Sequence, residues 1–187
     1  DAGTHTIVKG GLVSGLVDTI AGTGEQSLYR HQGGSALKVP LNSPYDLSLS
    51  DGTLYIAMAG FHQLWTMDLE DRSVAAFAGD GGEDIVDGLK PESRLAQPYG
   101  IEVSNNAVFF IDSETSSVRV AAIAEQGRVV TLVGTGLFDF GDHDAAGKDA
   151  QLQHPQGLAV HNDLIYVADS YNNKIKSVAI GSLQVKT

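Results

Sequence analysis

The 187-residue sequence contains no cysteine, which excludes disulfide bonds, thiolate metal sites and thiol catalysis within this chain. Long hydrophobic runs are also missing, since none approaches the roughly 18–20 residues that a membrane-spanning helix needs. We therefore expect no contact with a membrane.

Basic residues are scarce. Twelve Lys and Arg face 23 Asp and Glu, so the formal net charge is −11. The Lys and Arg residues are scattered singly rather than gathered in a stripe, and an acidic field repels a phosphate backbone. Nucleic acid is therefore not expected as a partner, and an RNA-binding role is disfavoured.

Glycine is abundant, with 22 residues against five prolines, and 42% of the chain is hydrophobic. This composition fits short strands that are joined by tight turns. Alternating and β-branched runs of four to eight residues favour strands over helices, and no segment has the periodicity of a convincing helix.

A repeated spacing organises these runs. Three segments begin at the equivalent prolines Pro44, Pro98 and Pro155, and the positions fourteen residues later are Met58, Asp112 and Asp169. The glycines of "VDTIAGTG", "VAAFAGDG" and "VVTLVGTG" (Gly22, Gly79, Gly134) are 57 and 55 residues apart. Periods of this length, each with four short strands, are typical of propeller blades.

The predicted fold is therefore an all-β propeller segment over 1–187, with repeats at about 1–57, 58–111 and 112–168 and a partial repeat at 169–187. Complete propellers close with 4–8 blades, whereas three blades leave two open sheet faces. Two alternatives follow: a fragment of a longer chain, or a homodimer that completes a six-bladed ring. In either case Val108, Phe110, Ile165 and Val167 should pack between sheets.

The segments "HPQGLAV", "LIYVADSYNNKIK" and "VVTLVGTG" resemble NHL repeats, which build β-propellers. The run "LYIAMAGFHQLW" is similar to the propeller of the NHL-repeat proteins that also carry a thioredoxin-like domain. The resemblance implies a propeller that acts as a binding or scaffold module. It does not extend to redox activity, because no Cys-x-x-Cys is present here.

Several polar positions recur at strand ends. Asp1, Asp112 and Asp169 share one position, where an Asp side chain can accept bonds from backbone N–H groups two residues on. The alternative is a ring of carboxylates around a channel, which Met58 interrupts. Four positions later stand His5, His62, Ser116 and Asn173, which we interpret as polar residues that open the third strand. Trp65, assigned to the position of Val120 and Ser177, should pack between blades.

No metal, cofactor or catalytic set is predicted. Metal binding needs several converging ligands, and His154 stands alone before Pro155. The segment "FDFGDHDAAGKD" has carboxylates that could hold Ca²⁺, but it does not meet the strict calcium-loop pattern, so a solvated acidic loop is favoured. The "GTG" and "GDG" runs lack the helix and the Lys-Ser/Thr of a phosphate loop.

The connections after the second and fourth strands should lie on one face of the disc, because antiparallel strands reverse direction at each turn. The long ones are Glu25–Asn42, Glu83–Gln97 and Leu137–His154. Long loops on a rigid scaffold commonly carry binding, and the last two are acidic. We predict that a protein or a small polar or cationic ligand binds there, with the candidate residues Asp84, Asp87, Asp139, Asp142, Asp144 and His154.

The competing hypothesis is a propeller enzyme, a metal-dependent hydrolase or an amidating lyase with its site in the central channel. That reading needs several His, Asp or Glu residues at the starts of the innermost strands. Only Asp46, with His154 nearby, meets the requirement. A non-catalytic binding module is therefore the favoured function.

Overall fold

The computed structural model describes residues 1–29 and 32–187, and the regular secondary structure of this part of the chain consists of β-strands and five short 3-10 turns. The turns are Ala2–Thr4, Ala59–Phe61, Lys90–Glu92, Gly147–Asp149 and Ser170–Asn172. The strands are β1 Ile7–Gly10, β2 Val17–Ala21, β3 Gly33–Ser35, β4 Pro44–Ser50, β5 Thr53–Met58, β6 Gln63–Asp68, β7 Ser73–Ala78, β8 Gly88–Leu89, β9 Pro98–Ser104, β10 Ala107–Asp112, β11 Ser117–Ala122, β12 Arg128–Val133, β13 Gly157–His161, β14 Leu164–Asp169, β15 Lys174–Ala179 and β16 Val185–Lys186. None of the short helical turns in this part of the chain has the length or the hydropathy of a membrane-spanning helix.

Three blades form the body of the structure. Each is a meander in which every strand pairs antiparallel with the next: β4–β7 in the first blade, β9–β12 in the second and β13–β16 in the third. The all-β propeller fold is thus confirmed. The predicted repeat boundaries at 58 and 112 coincide with the ends of the second strands β5 and β10, which hold the same repeat position as Asp1.

A two-stranded hairpin, β1–β2, precedes the first blade. Its residues match the third and fourth strands of a blade, and Ile7 and Ala21 are buried against Ile56, Trp65 and Val74 of the first blade. The hairpin therefore covers the outer part of the face on which a second chain would have to dock. The homodimeric six-bladed ring stays a prediction, and it requires this hairpin to move or to add to the contact.

The long loops contribute a fifth strand that periodicity did not reveal. The short β3 pairs with β7, and β8 pairs with β12, so each loop crosses the outer edge of the blade it precedes. In the third blade a single bridge from Ala146 to Gln184 takes this place. The loop 25–42 includes Arg30 and His31, which lie outside the described residues.

The core lies between blades. Val108, Phe110, Ile165 and Val167 are each 0% exposed, which confirms their predicted packing between sheets. One apolar cluster joins the first and second blades, and another joins the second and third. Burial of both faces is what makes the middle strands nearly continuous in apolar residues.

The outer face of the third blade is uncovered in this chain. Ile175 is 64% exposed, whereas its counterparts Val118 and Leu64 are 0% exposed. Tyr166 is 40% exposed, against 6% for its counterparts Phe109 and Tyr55. The repeat thus places side chains of interior type on an open sheet face.

Candidate functional site

The ends of the second strands of the blades and the long loops that join one blade to the next (the interblade loops) meet on one face, as predicted. The N–H of Gly60 donates to the carbonyl of Asn42, and the N–H of Ser113 donates to that of Gln97. The N–H of Tyr171 donates to the carbonyl of Gln153 in the same way. We call the surface that these loop ends and turns form with the starts of the first strands the channel mouth. It comprises residues 42–46, 59–62, 96–99, 113–116, 153–157 and 170–173.

A recurring hydrogen bond joins neighbouring blades at the mouth. The residue after each strand-two turn has a left-handed backbone, with φ of 52° at His5, 53° at His62 and 49° at Ser116. Each side chain accepts a bond from the backbone N–H that precedes the next proline. The distances are 3.0 Å from Ser43 N to His5 Nδ1, 3.3 Å from Gln97 N to His62 Nδ1 and 3.2 Å from His154 N to Ser116 Oγ.

The aspartates at the strand-two ends do not act as predicted. Asp112 and Asp169 are fully buried, and each accepts a bond from a backbone N–H sixteen residues upstream: Ala96 N at 2.7 Å and Gln153 N at 2.7 Å. Only Asp1 caps its own turn, through Thr4 N at 3.1 Å. These carboxylates therefore fasten the interblade loops and do not form an exposed ring around the channel.

Arg119 is a fully buried cation that sequence reasoning missed. Its guanidinium lies 2.8 Å from Asp112 and 3.0 Å from Asp87, and it also donates to the carbonyl of Arg94 at 2.7 Å. Burial raises the pKa of Asp112, while the charge and hydrogen bond of Arg119 oppose that rise. The side chain thus ties the acidic loop to the second blade.

Lys176 repeats this arrangement in the third blade. It is 1% exposed and lies 2.8 Å from both Asp142 and Asp144. Asp144 also accepts from Thr187 N at 2.7 Å, as Asp87 does from Thr131 N at 2.9 Å. The Asp87–Arg119 and Asp144–Lys176 pairs are both 32 residues apart, a spacing that could have revealed them in the sequence.

Trp65 occupies the corresponding position in the first blade. It lies opposite Ile56, as Arg119 lies opposite Phe110 and Lys176 opposite Val167. Its assignment to the position of Val120 and Ser177 was wrong by one residue, although its burial is confirmed at 0% exposed. Gly33 occupies the position that Asp87 and Asp144 hold in the other two loops. The first blade therefore lacks both the carboxylate and the cation of this ion pair.

The remaining acidic candidates also have partners within the chain. Asp139 accepts hydrogen bonds from Thr135 and from Gln151, the latter at 2.9 Å. Asp84 accepts from Ile85 N at 2.8 Å and lies 4.0 Å from Arg94. The structure does not bring the five aspartates together, because one group precedes the second blade and the other precedes the third. They are partly exposed carboxylates whose contacts hold their own loops.

Acid should reveal the contribution of Asp144. Its bonds with Lys176 and then with Thr187 N lower its pKa from 3.8 to about 2. A carboxylate with a lowered folded-state pKa stabilises the fold above its unfolded pKa, and this contribution is lost as pH falls. Thermal melts should therefore show wild type more stable than Asp144→Asn at pH 6, with the gap closing between about pH 4 and pH 2.

Asp163→Asn is the matched control, because the Asp163 side chain makes no hydrogen bond within the described residues. Its stability should follow that of wild type throughout the same titration. A constant gap between wild type and Asp144→Asn down to pH 2 would contradict the pairing.

Aromatic side chains surround the mouth. The rings of Tyr45 and Tyr99 are stacked, with their centroids 4.0 Å apart. The centroid of the His154 ring lies 4.6 Å from that of Tyr171 and 6.3 Å from that of Phe140. Burial, followed by the hydrogen bond with Tyr45, raises the pKa of Tyr99 to about 12. His154, a predicted binding residue, is thus part of an aromatic group at the mouth.

A polar cavity of about 280 Å³ opens beside Tyr45 where the first and second blades meet. Its lining includes Gln26, Asn42, Ser43, Tyr45, His62 and Gln97. Residues 1–29 and 32–187 contain no group of three or more His, Asp or Glu residues placed to hold a metal ion, either at this cavity or away from it. Sequence reasoning did not identify this cavity.

Comparison with known proteins agrees with the fold. The NHL repeat family matches residues 152–176, so the chain contains an NHL repeat. NHL repeat-containing protein 2 of Gallus gallus is 37% identical over 95% of this chain. Protein SUPPRESSOR OF QUENCHING 1, chloroplastic, of Arabidopsis thaliana is 35% identical over the same share. The chain spans 29% of the first relative and 18% of the second.

Solved structures show the same architecture. A protein of unknown function from Bacteroides thetaiotaomicron superposes with a TM-score of 0.75 over 98% of this chain and 43% of its own, at 18% identity. An auxiliary nutrient binding protein from Bacteroides ovatus gives a TM-score of 0.70 over 94% of this chain and 43% of its own, also at 18% identity. At such identities these similarities establish the fold alone.

Proposed function

We propose that the chain is a non-catalytic binding or scaffold propeller that presents its channel mouth to a protein or a small polar ligand. The observation that carries the proposal is the convergence of polar and aromatic side chains on a mouth whose backbone is fixed. Loops held by a rigid scaffold are the usual place for binding, and a fixed backbone spares the ligand the cost of ordering it.

The acidic loops support this role through their field. Asp87, Asp142 and Asp144 are bonded to Arg119 and Lys176, so their charges are partly neutralised where they stand. The net charge of −11 still steers cationic partners toward the molecule, and salt weakens such steering. In this proposal the carboxylates guide an approaching partner, while the mouth makes the direct contacts.

Single-cysteine labelling tests which face binds, because these 187 residues contain no cysteine that would interfere. A bulky maleimide is attached to Glu114→Cys at the mouth or to Asp163→Cys at a turn on the opposite face. Saturation-transfer NMR then measures the binding of methyl glucopyranoside, glycinamide and arginine amide to each labelled chain. The label at position 114 should abolish the transfer signals, and the label at position 163 should leave them unchanged.

Signals that survive the label at position 114 but vanish with the label at position 163 would place binding on the opposite face. A chain that gives no transfer signal with any of the three probes would contradict small-ligand binding at the mouth.

A further inference from the structure

We infer that the cavity between the first and second blades is a binding site for a neutral sugar ring. This inference rests on the proposed function and names its ligand. Gly60 lines this cavity and occupies the position that carries Glu114 in the second blade and Tyr171 in the third. The side chain of Asn42 takes the place that a side chain at position 60 would need, and it forms one wall of the cavity, which opens beside Tyr45.

The wall of the cavity is held in place by Asn42, which is 8% exposed. Its amide nitrogen donates to the carbonyls of Ser27 at 3.0 Å and Gly60 at 3.2 Å. Its oxygen accepts from Gln26 Nε2 at 3.0 Å and from Ser43 Oγ at 3.2 Å. A Cβ at position 60 would lie 2.1 Å from that oxygen, so the close approach requires glycine.

Two polar side chains at the cavity are available to a ligand. The Nδ1 atom of His62 accepts from Gln97 N, so the proton of the neutral ring lies on Nε2, which is then a donor. Within the described residues, neither His62 Nε2 nor the carboxamide of Gln97 makes a hydrogen bond. Both residues line the cavity, which therefore offers a donor and an amide that can donate and accept.

Tyr45 adds an apolar surface. Tyr45 lines the cavity and is 49% exposed. Its ring stacks on the ring of Tyr99, with the centroids 4.0 Å apart. The stacked partner holds the ring in one orientation. A ring fixed in this way can pack against the C–H face of a sugar, while the polar groups around it meet the hydroxyl groups.

The charge of the lining restricts the ligand further. Among the described residues that line the cavity there is no Asp, Glu, Lys or Arg. A charged ligand would therefore enter without a counter-charge, and an anion would also face the net charge of −11. Hydroxyl groups that both donate and accept suit a lining of carboxamides, hydroxyl and imidazole. A neutral pyranose has these groups and an apolar face as well.

The repeat itself supplies the test variants. His62→Ser copies Ser116, which keeps the bond to the next blade but removes the Nε2 donor. Tyr45→Gln copies Gln156, which stands at the same position in the third blade. The control is His5→Ser, because His5 makes the same interblade bond through Ser43 N but does not line the cavity. Thermal melts establish that all three variants are folded.

Binding of methyl glucopyranoside is measured by NMR titration against glucuronate and glycinamide. We expect the neutral pyranoside to bind best, without salt dependence. His62→Ser and Tyr45→Gln should each weaken it by roughly tenfold, the effect of one lost contact, and His5→Ser by less than about twofold.

Equal weakening by His5→Ser, or no effect of the two cavity variants, would overturn the inference. So would tighter binding of glucuronate or glycinamide than of the pyranoside. If methyl glucopyranoside does not bind while the label at position 114 still blocks binding of the other probes, the sugar assignment is wrong and the proposed function stands. If the mouth label blocks nothing, both are wrong.

Discussion

Replacing Arg119 by methionine is expected to lower the free energy of unfolding by about 3–5 kcal/mol, the usual cost of removing one partner from a buried ion pair. Asp112 would keep its bond from Ala96 N but lose the charge that opposes its burial. Asp87 and the carbonyl of Arg94 would lose a donor as well. Urea denaturation at neutral pH measures the effect.

Lowering the pH should reduce this cost. Burial raises the pKa of Asp112, and removing Arg119 removes the largest effect that opposes this rise. A carboxyl with a raised folded-state pKa gains stability as pH falls and it protonates. The control is Lys174→Met, which breaks an exposed pair with Asp142 and should cost less than about 1 kcal/mol. Similar losses for the two variants would mean that Arg119 does not fasten the loop.

Ile165→Asp should destabilise the chain by about 4 kcal/mol or more, because it buries a charge in the apolar cluster between the second and third blades. Ile165 is 0% exposed and lies opposite Val178 in the third blade. The neighbouring Val167 is a less direct choice, since it lies opposite Lys176, which could pair with a new carboxylate. Urea denaturation again measures the loss.

Ile175→Asp is the matched control on the same blade, since Ile175 lies on the uncovered face. In a monomer it should change stability by less than about 0.5 kcal/mol. In a homodimeric ring the same variant would break the contact, which light scattering at micromolar concentration would show as dissociation. A small effect of Ile165→Asp would contradict the assignment of β14.

The blades were predictable because the period fixes equivalent positions. Pro44, Pro98 and Pro155 begin or precede the first strands, and the apolar alternation that follows identifies the buried side chains. The short strands β3 and β8 were not predictable, because two or three residues carry no period. Their pairing comes from the path of the loop along the blade edge.

The candidate site was less accessible to sequence reasoning. Asp87 and Asp144 were recognised as acidic loop residues, but their cations lie 32 residues downstream on another strand. A carboxylate and its partner become visible only when loop and strand are aligned across repeats. The close contact between Asn42 and Gly60 at the cavity becomes apparent only when Gly60 is compared with Glu114 and Tyr171, which hold the same position in the other blades.

The measurement that tests the central claim most directly is amide chemical-shift mapping of the ¹⁵N-labelled chain with methyl glucopyranoside. Binding at the mouth predicts shifts that are confined to residue 26 and to residues 42–46, 59–62 and 96–99, which surround the cavity. Shifts centred on the acidic loop 139–144, or on the opposite turns at 50–53 and 161–164, would contradict the claim.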